Sequence, residues 1–103
     1  MDDAIAMITE ARAKKAYNKI PDIILAMERY QRNHDLLLEA VRTLGAFTAF
    51  RMEDRHTVEE IETRKTIAKV GGIRWIVSGM QLYERSEKLI AQSCLTLFYL
   101  TGS

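Results

Sequence analysis

One cysteine, one proline and no long apolar run set the first limits on this chain of 103 residues. Cys94 has no second cysteine to pair with. No disulfide can close within the chain, and a small domain built that way suits a reducing, intracellular compartment, the cytoplasm or the nucleus. Pro21 is the sole proline, and the five glycines do not gather into a linker. No stretch approaches the ~20 apolar residues of a membrane span. Met1-Asp2-Asp3 is acidic, where a secretion signal would be basic and then apolar. An excess of one charge is missing too: 15 Lys+Arg stand against 14 Asp+Glu. That balance gives no global pull toward nucleic acid or an anionic membrane surface.

The usual marks of chemistry are also absent. His34 and His56 have no Cys or second His at metal spacing. Gly71-Gly72 lacks the Lys and Ser/Thr of a phosphate loop and reads as a turn. Glu59, Glu60 and Glu62 have no identifiable partner for acid–base work and read as a solvated helix face. No nucleophile–base pair is legible. The sequence therefore predicts no catalytic residue, no cofactor and no metal, and the chain is expected not to be an enzyme.

What the chain does contain is a repeat. Positions 53 residues apart carry matching side chains: Ile20 and Ile73, Ile23 and Ile76, Met27 and Met80, Tyr30 and Tyr83, Leu36 and Leu89. Thr43, Leu44 and Thr48 then match Thr96, Leu97 and Thr101. Apolar positions recurring at one fixed period indicate stacked helical units. The expected organisation is a single domain over 1–103, with repeat one at about 3–50, a charged loop at about 51–57 and repeat two at about 58–102.

Local signals place the helices. A first helix is expected to start after Asp2 or Asp3 and to run until Pro21, which ends it and opens the next. Ile23, Ile24, Met27 and Tyr30 make one buried stripe. Asn33 and its counterpart Ser86 are both N-cap residues. Long helices should follow from Asp35 to about Phe50 and from Glu87 to about Thr101. The first should bury Leu36, Leu37, Ala40, Val41, Leu44, Phe47 and Thr48, the second Leu89, Ile90, Cys94, Leu97 and Leu100. Between them, Met52 to His56 reads as a loop and Thr57 to Glu60 as a capping box. The box opens a helix from Val58 to about Val70, with Val58, Ile61, Ile67 and Ala68 inward. Gly71-Gly72 stops it, and Gly102 falls where a helix end favours glycine.

The run Arg64-Lys65-Thr66-Ile67-Ala68-Lys69-Val70-Gly71-Gly72-Ile73, with Trp75-Ile76-Val77 and the later Ala91 to Leu97, resembles the armadillo repeat. That family's pattern is Ile-x-x-Ala-Gly-Gly-Ile-Pro-x-Leu-Val. Here Val70 stands for its alanine and Arg74 for its proline. The first unit keeps Ile20-Pro21 but has Asn18-Lys19 in place of the glycines. The resemblance implies an all-α, right-handed superhelical stack of about two three-helix repeats, an α-solenoid. The period of 53 is longer than the roughly 40–47 residues usual for such repeats.

Such a stack implies a protein-interaction scaffold, or a fragment of one, that binds a protein or peptide along its third helices. In members that bind nuclear-import peptides, the third helix carries a Trp–Asn pair. The matching positions here are Arg42 and Ala46, then Leu95 and Tyr99, so the pair is absent from both units. The expected binding surface is Glu39, Arg42, Ala46, Gln92, Leu95 and Tyr99.

A second expectation concerns assembly. The last helix is apolar all round, where a terminal repeat is normally polar outside. Leu97, Phe98 and Leu100 are accordingly expected to serve homo-oligomerisation or docking onto further repeats. Arg12, Lys14, Lys15 and Lys19 form a short basic cluster, read first as helix-end charge and second as a site for nucleic acid or anionic lipid. Cys94 is expected to be a buried apolar thiol, and Trp75 a packing residue.

Overall fold

Six helices and one 3₁₀ turn account for nearly all of the residues that the computed structural model describes, which are 2–48 and 58–101. Side chains are described for 3–48 and 62–101. The helices are α1 (Asp2–Lys14), α2 (Ile20–Arg29), α3 (His34–Thr48), α4 (Val58–Lys69), α5 (Gly72–Leu82) and α6 (Glu87–Thr101), and the 3₁₀ turn is Tyr17–Lys19. No strand occurs among the described residues. The class is all-α. The expected loop at Met52 to His56, the hydroxyl of Thr57 and the cap at Gly102 lie outside the described residues.

The first helix ends earlier than Pro21 suggests. Lys15 adopts a left-handed backbone, φ 53°. Its N–H reaches the Arg12 carbonyl at 3.3 Å and the Ala16 N–H reaches that of Ala11 at 2.9 Å. This is the paired hydrogen-bond pattern that closes helix C-termini around an αL residue. Pro21 then sits in the first turn of α2, where a missing N–H costs nothing. Gly71 closes α4 in the same region of backbone space, φ 90°.

The repeat is visible in backbone hydrogen bonds as well as in sequence. The N–H groups of Tyr30 and Tyr83 bond the carbonyls of Ala26 and Gly79, each at 2.9 Å. Those of Asn33 and Ser86 bond Tyr30 and Tyr83, again at 2.9 Å. Asn33 Oδ1 accepts from the Leu36 N–H at 3.1 Å, and Ser86 Oγ from the Leu89 N–H at 3.3 Å. Two different side chains thus cap equivalent helices in the same way. The last residues of α2 and α5, Arg29 and Leu82, and the first of α3 and α6, His34 and Glu87, obey the offset.

Equivalent helices lie on one another. Among the described residues α3 and α6 share the most extensive contact, and α2 also meets α5. Their approach is close because of small residues. A Cβ on Gly45 would stand 2.6 Å from Thr96 Oγ1, and Thr96 Oγ1 donates to the Val41 carbonyl at 3.1 Å. His34 adds a second link: its Nε2 is 2.6 Å from Ser86 Oγ, and its ring meets Tyr83 edge-on. α1 packs along the opposite side of α3, held by Ile8 and Ala11, both buried. Tyr17 meets Phe47 there, ring centroids 4.9 Å apart.

Burial follows expectation in α2 and α3 and departs from it in α6. All seven residues expected inside α3 are buried. In α6, Leu89 is buried, Ile90, Leu97 and Leu100 are half-buried, and Cys94 is exposed. The residues of α6 fully enclosed beside Leu89 are Ser93 and Thr96. Beside apolar Leu89, the approach of α6 to α3 is set by small size at Gly45 and by the Thr96 hydrogen bond. Likewise Ala68 is exposed while Thr63 is buried beside Ile67. Trp75 packs against the core, with the Arg74 guanidinium 5.1 Å from its ring centroid.

Candidate protein-interaction surface

The six expected contact residues occupy three equivalent pairs at the offset of 53: Glu39 and Gln92, Arg42 and Leu95, Ala46 and Tyr99. Because α3 lies against α6, these pairs fall on two neighbouring helices. Arg42, Ala46 and Leu95 are exposed, whereas Glu39, Gln92 and Tyr99 are half-buried. The two helices meet within this set, since a Cβ on Gly45 would lie 3.1 Å from Gln92 Nε2.

Glu39 is not a free acceptor. Arg12 Nη2 donates to its Oε2 at 2.8 Å and Arg42 Nη1 to its Oε1 at 3.0 Å. The carboxylate positions both guanidiniums at the edge of α3. Two cations on one anion leave the cluster with a surplus positive charge. An arginine carries five N–H donors, so Arg42 retains donors for an incoming carboxylate. On α6 the surface turns apolar and aromatic. Leu95 is 45% exposed, and the ring of Tyr99 meets Phe98 edge-on.

The three residues expected to serve assembly separate in space. Leu97 and Leu100 pack against the molecule's own core. Phe98 is 52% exposed and points elsewhere. The basic cluster is partly paired: Arg12 shares Glu39 with Arg42, Lys14 meets Glu10 at 2.7 Å, and Lys19 approaches Asp22 at 3.9 Å. Lys14, by its hydrogen bond and then by its charge, holds the Glu10 carboxyl below its ordinary value. These pairings fit helix-end charge better than a phosphate site.

An open depression of about 530 Å³ lies at the turn 28–33 beside Leu82. None of the six contact residues lines it, and no sequence signal marks it. Among the described residues, no group of three or more His, Cys, Asp or Glu could hold a metal ion. No helix of the described residues is long and apolar enough to cross a membrane. No family model, no curated protein and no solved structure matches this chain, so its own geometry carries the functional reading.

Proposed function

We propose that this chain is a non-catalytic scaffold of two armadillo-like units that binds an extended polypeptide along α3 and α6. The observation that carries this reading is the placement of equivalent positions side by side. Glu39, Arg42 and Ala46 recur as Gln92, Leu95 and Tyr99 on the neighbouring helix, and all six retain some solvent access. A periodic scaffold suits a periodic ligand, because an extended peptide repeats its own spacing. The chemistry of the surface selects the ligand. Arg42 favours a carboxylate, and Leu95 with Tyr99 favours an apolar or aromatic side chain further along.

The test is selection from a displayed library of random peptides against the intact chain. Enriched peptides should pair acidic with aromatic or aliphatic residues. Arg42→Ala combined with Tyr99→Ala should abolish their binding while the helical circular dichroism stays unchanged. Full binding by that double variant would overturn the reading.

A further inference from the structure

The internal repeat identifies a face of the second unit that is uncovered where its counterpart is covered. In the first unit, five positions meet the second unit: Ile24 lies against Gly72, His34 against Ser86, Leu37 against Gly79, and Val41 and Gly45 against Thr96. Adding 53 gives Val77, Glu87, Ile90, Cys94 and Phe98. Ile24, Leu37 and Val41 are at most 4% exposed. Val77 is 38% and Phe98 52% exposed, Cys94 is exposed, and only Ile90 is partly covered. Nearby, buried Leu38 and Thr48 correspond to exposed Ala91 and Thr101. The face has the position and composition of a helix-packing surface, with one charge, Glu87, at its edge.

Three features decide what covers it. First, the other end is closed. α1 lies on α3 through Arg12–Glu39 and Tyr17–Phe47, whose counterparts Gln92 and Leu100 belong to the α6 side turned to the first unit. A second copy therefore cannot stack head to tail without displacing α1. Second, Phe98 stands where the first unit has Gly45. A Cβ on Gly45 already crowds Thr96, so a phenyl ring forbids the approach that the second unit makes on the first. Third, Glu87, Ala91, Cys94, Phe98 and Thr101 follow one another at steps of four and three, a single seam along α6. Paired antiparallel, two such seams set Phe98 of each copy over the small residues Ala91 and Cys94 of the other. Antiparallel pairing also opposes the helix dipoles and separates the two Glu87 charges.

We infer that this face is the interface of a closed, two-fold dimer, with the seam of α6 crossing that of a second copy, Cys94 beside the axis and Phe98 one turn from it as the anchor on each side. A two-fold contact uses one patch twice and ends there, so it yields dimers and not filaments. This face is distinct from the peptide-binding ridge, so either proposal can fail without the other.

The test uses the full chain in light scattering after size exclusion over a wide concentration range, together with a short bis-maleimide. Cys94 is the only cysteine, so any linked species joins Cys94 to Cys94 of a second copy. Monomer and dimer should interconvert with concentration, and the reagent should trap the dimer. Phe98→Glu should raise the dimer dissociation constant about a hundredfold or more and abolish trapping, as removal of an anchoring interface residue does. Ala91→Arg, at an exposed position, should do the same by filling the space that Phe98 enters, and it guards against misfolding of the first variant. Leu95→Glu, outside the seam, should leave the dimer intact. A monomer at every concentration would overturn the inference and leave the face to a helical unit of another chain. A dimer indifferent to Phe98→Glu and Ala91→Arg, or open-ended oligomers, would overturn it as well.

Discussion

The two units share the turn and cap before their long helices, and differ in what encloses them. Of the buried apolar residues among those described, most belong to the first unit, while the second contributes Ile67, Ile76 and Leu89. Val41 is 1% exposed and its counterpart Cys94 is exposed; Ile24 is 4% exposed and Val77 38%. The capped starts of α3 and α6 do not account for this, because they coincide at the offset. The difference is one of neighbours. Within the first unit α3 lies between α1 and α6, whereas among the described residues α6 packs mainly on α3 and α5 and its far side is open.

That contrast can be broken by paired substitutions. Ile24→Ala empties a site enclosed by both units and should cost about 3 kcal/mol in chemical unfolding. Val77→Ala, its counterpart, should cost below about 0.5 kcal/mol at concentrations where the chain is monomeric. Equal losses would mean that the open face is covered within one chain. Gly72→Ala comes next. Its Cβ would collide with Ile67 Cγ2 and stand 2.8 Å from the Ile67 carbonyl oxygen, which is backbone and cannot rotate away. A loss of about 2 kcal/mol is expected in the same unfolding measurement.

The caps sharpen the likeness instead of the difference. Asn33→Ala and Ser86→Ala should each lower stability by about 1 kcal/mol, since each removes the acceptor for one N–H at the start of an equivalent helix. Ser86→Ala should be the more damaging, because Ser86 Oγ also meets His34 Nε2 across the units. Reversal of that order would remove His34 as a link between them. At the small end, Lys15→Gly should stabilise by up to about 1 kcal/mol, because glycine takes the left-handed conformation without strain, as Gly71 already does. Ser93→Ala should be neutral within about 0.5 kcal/mol or stabilising. Its hydroxyl is buried without a hydrogen-bond partner among the described residues, and the first unit has Ala40 at the same position.

These pairs also show where the sequence was legible. Helix starts at Asn33 and Ser86 could be read directly, because capping depends on a side chain and the N–H groups three residues on. The inner faces of α2 and α3 could be read as well, because both are enclosed by apolar stripes. α6 defeated the same reasoning. Register equates Cys94 with Val41, but register transmits position and not surroundings, and Val41 is buried by helices that have no third counterpart here. The true inner face of α6 carries Ser93 and Thr96 beside Leu89, two of the three polar by type, and Gly45 makes room for Thr96. The end of α1 was hidden for a related reason: Lys15 takes a conformation that its identity does not advertise. At the candidate surface, spacing marked the six positions, but the tie of Glu39 to Arg12 joins residues 27 apart and only the fold reveals it.

The hydrogen bond from Thr96 to the Val41 carbonyl spans 55 residues of chain. During synthesis the first unit is complete long before the hydroxyl that will meet it exists. At about 5–20 residues per second, the ribosome needs about 3–11 seconds to extend the chain from Val41 to Thr96. Through that interval Ile24, Leu37 and Val41 stand open, a temporary apolar template on which α4, α5 and α6 must settle in turn. The order of translation is thus written into the packing: the half with its own enclosure comes first, and the half that depends on it comes second.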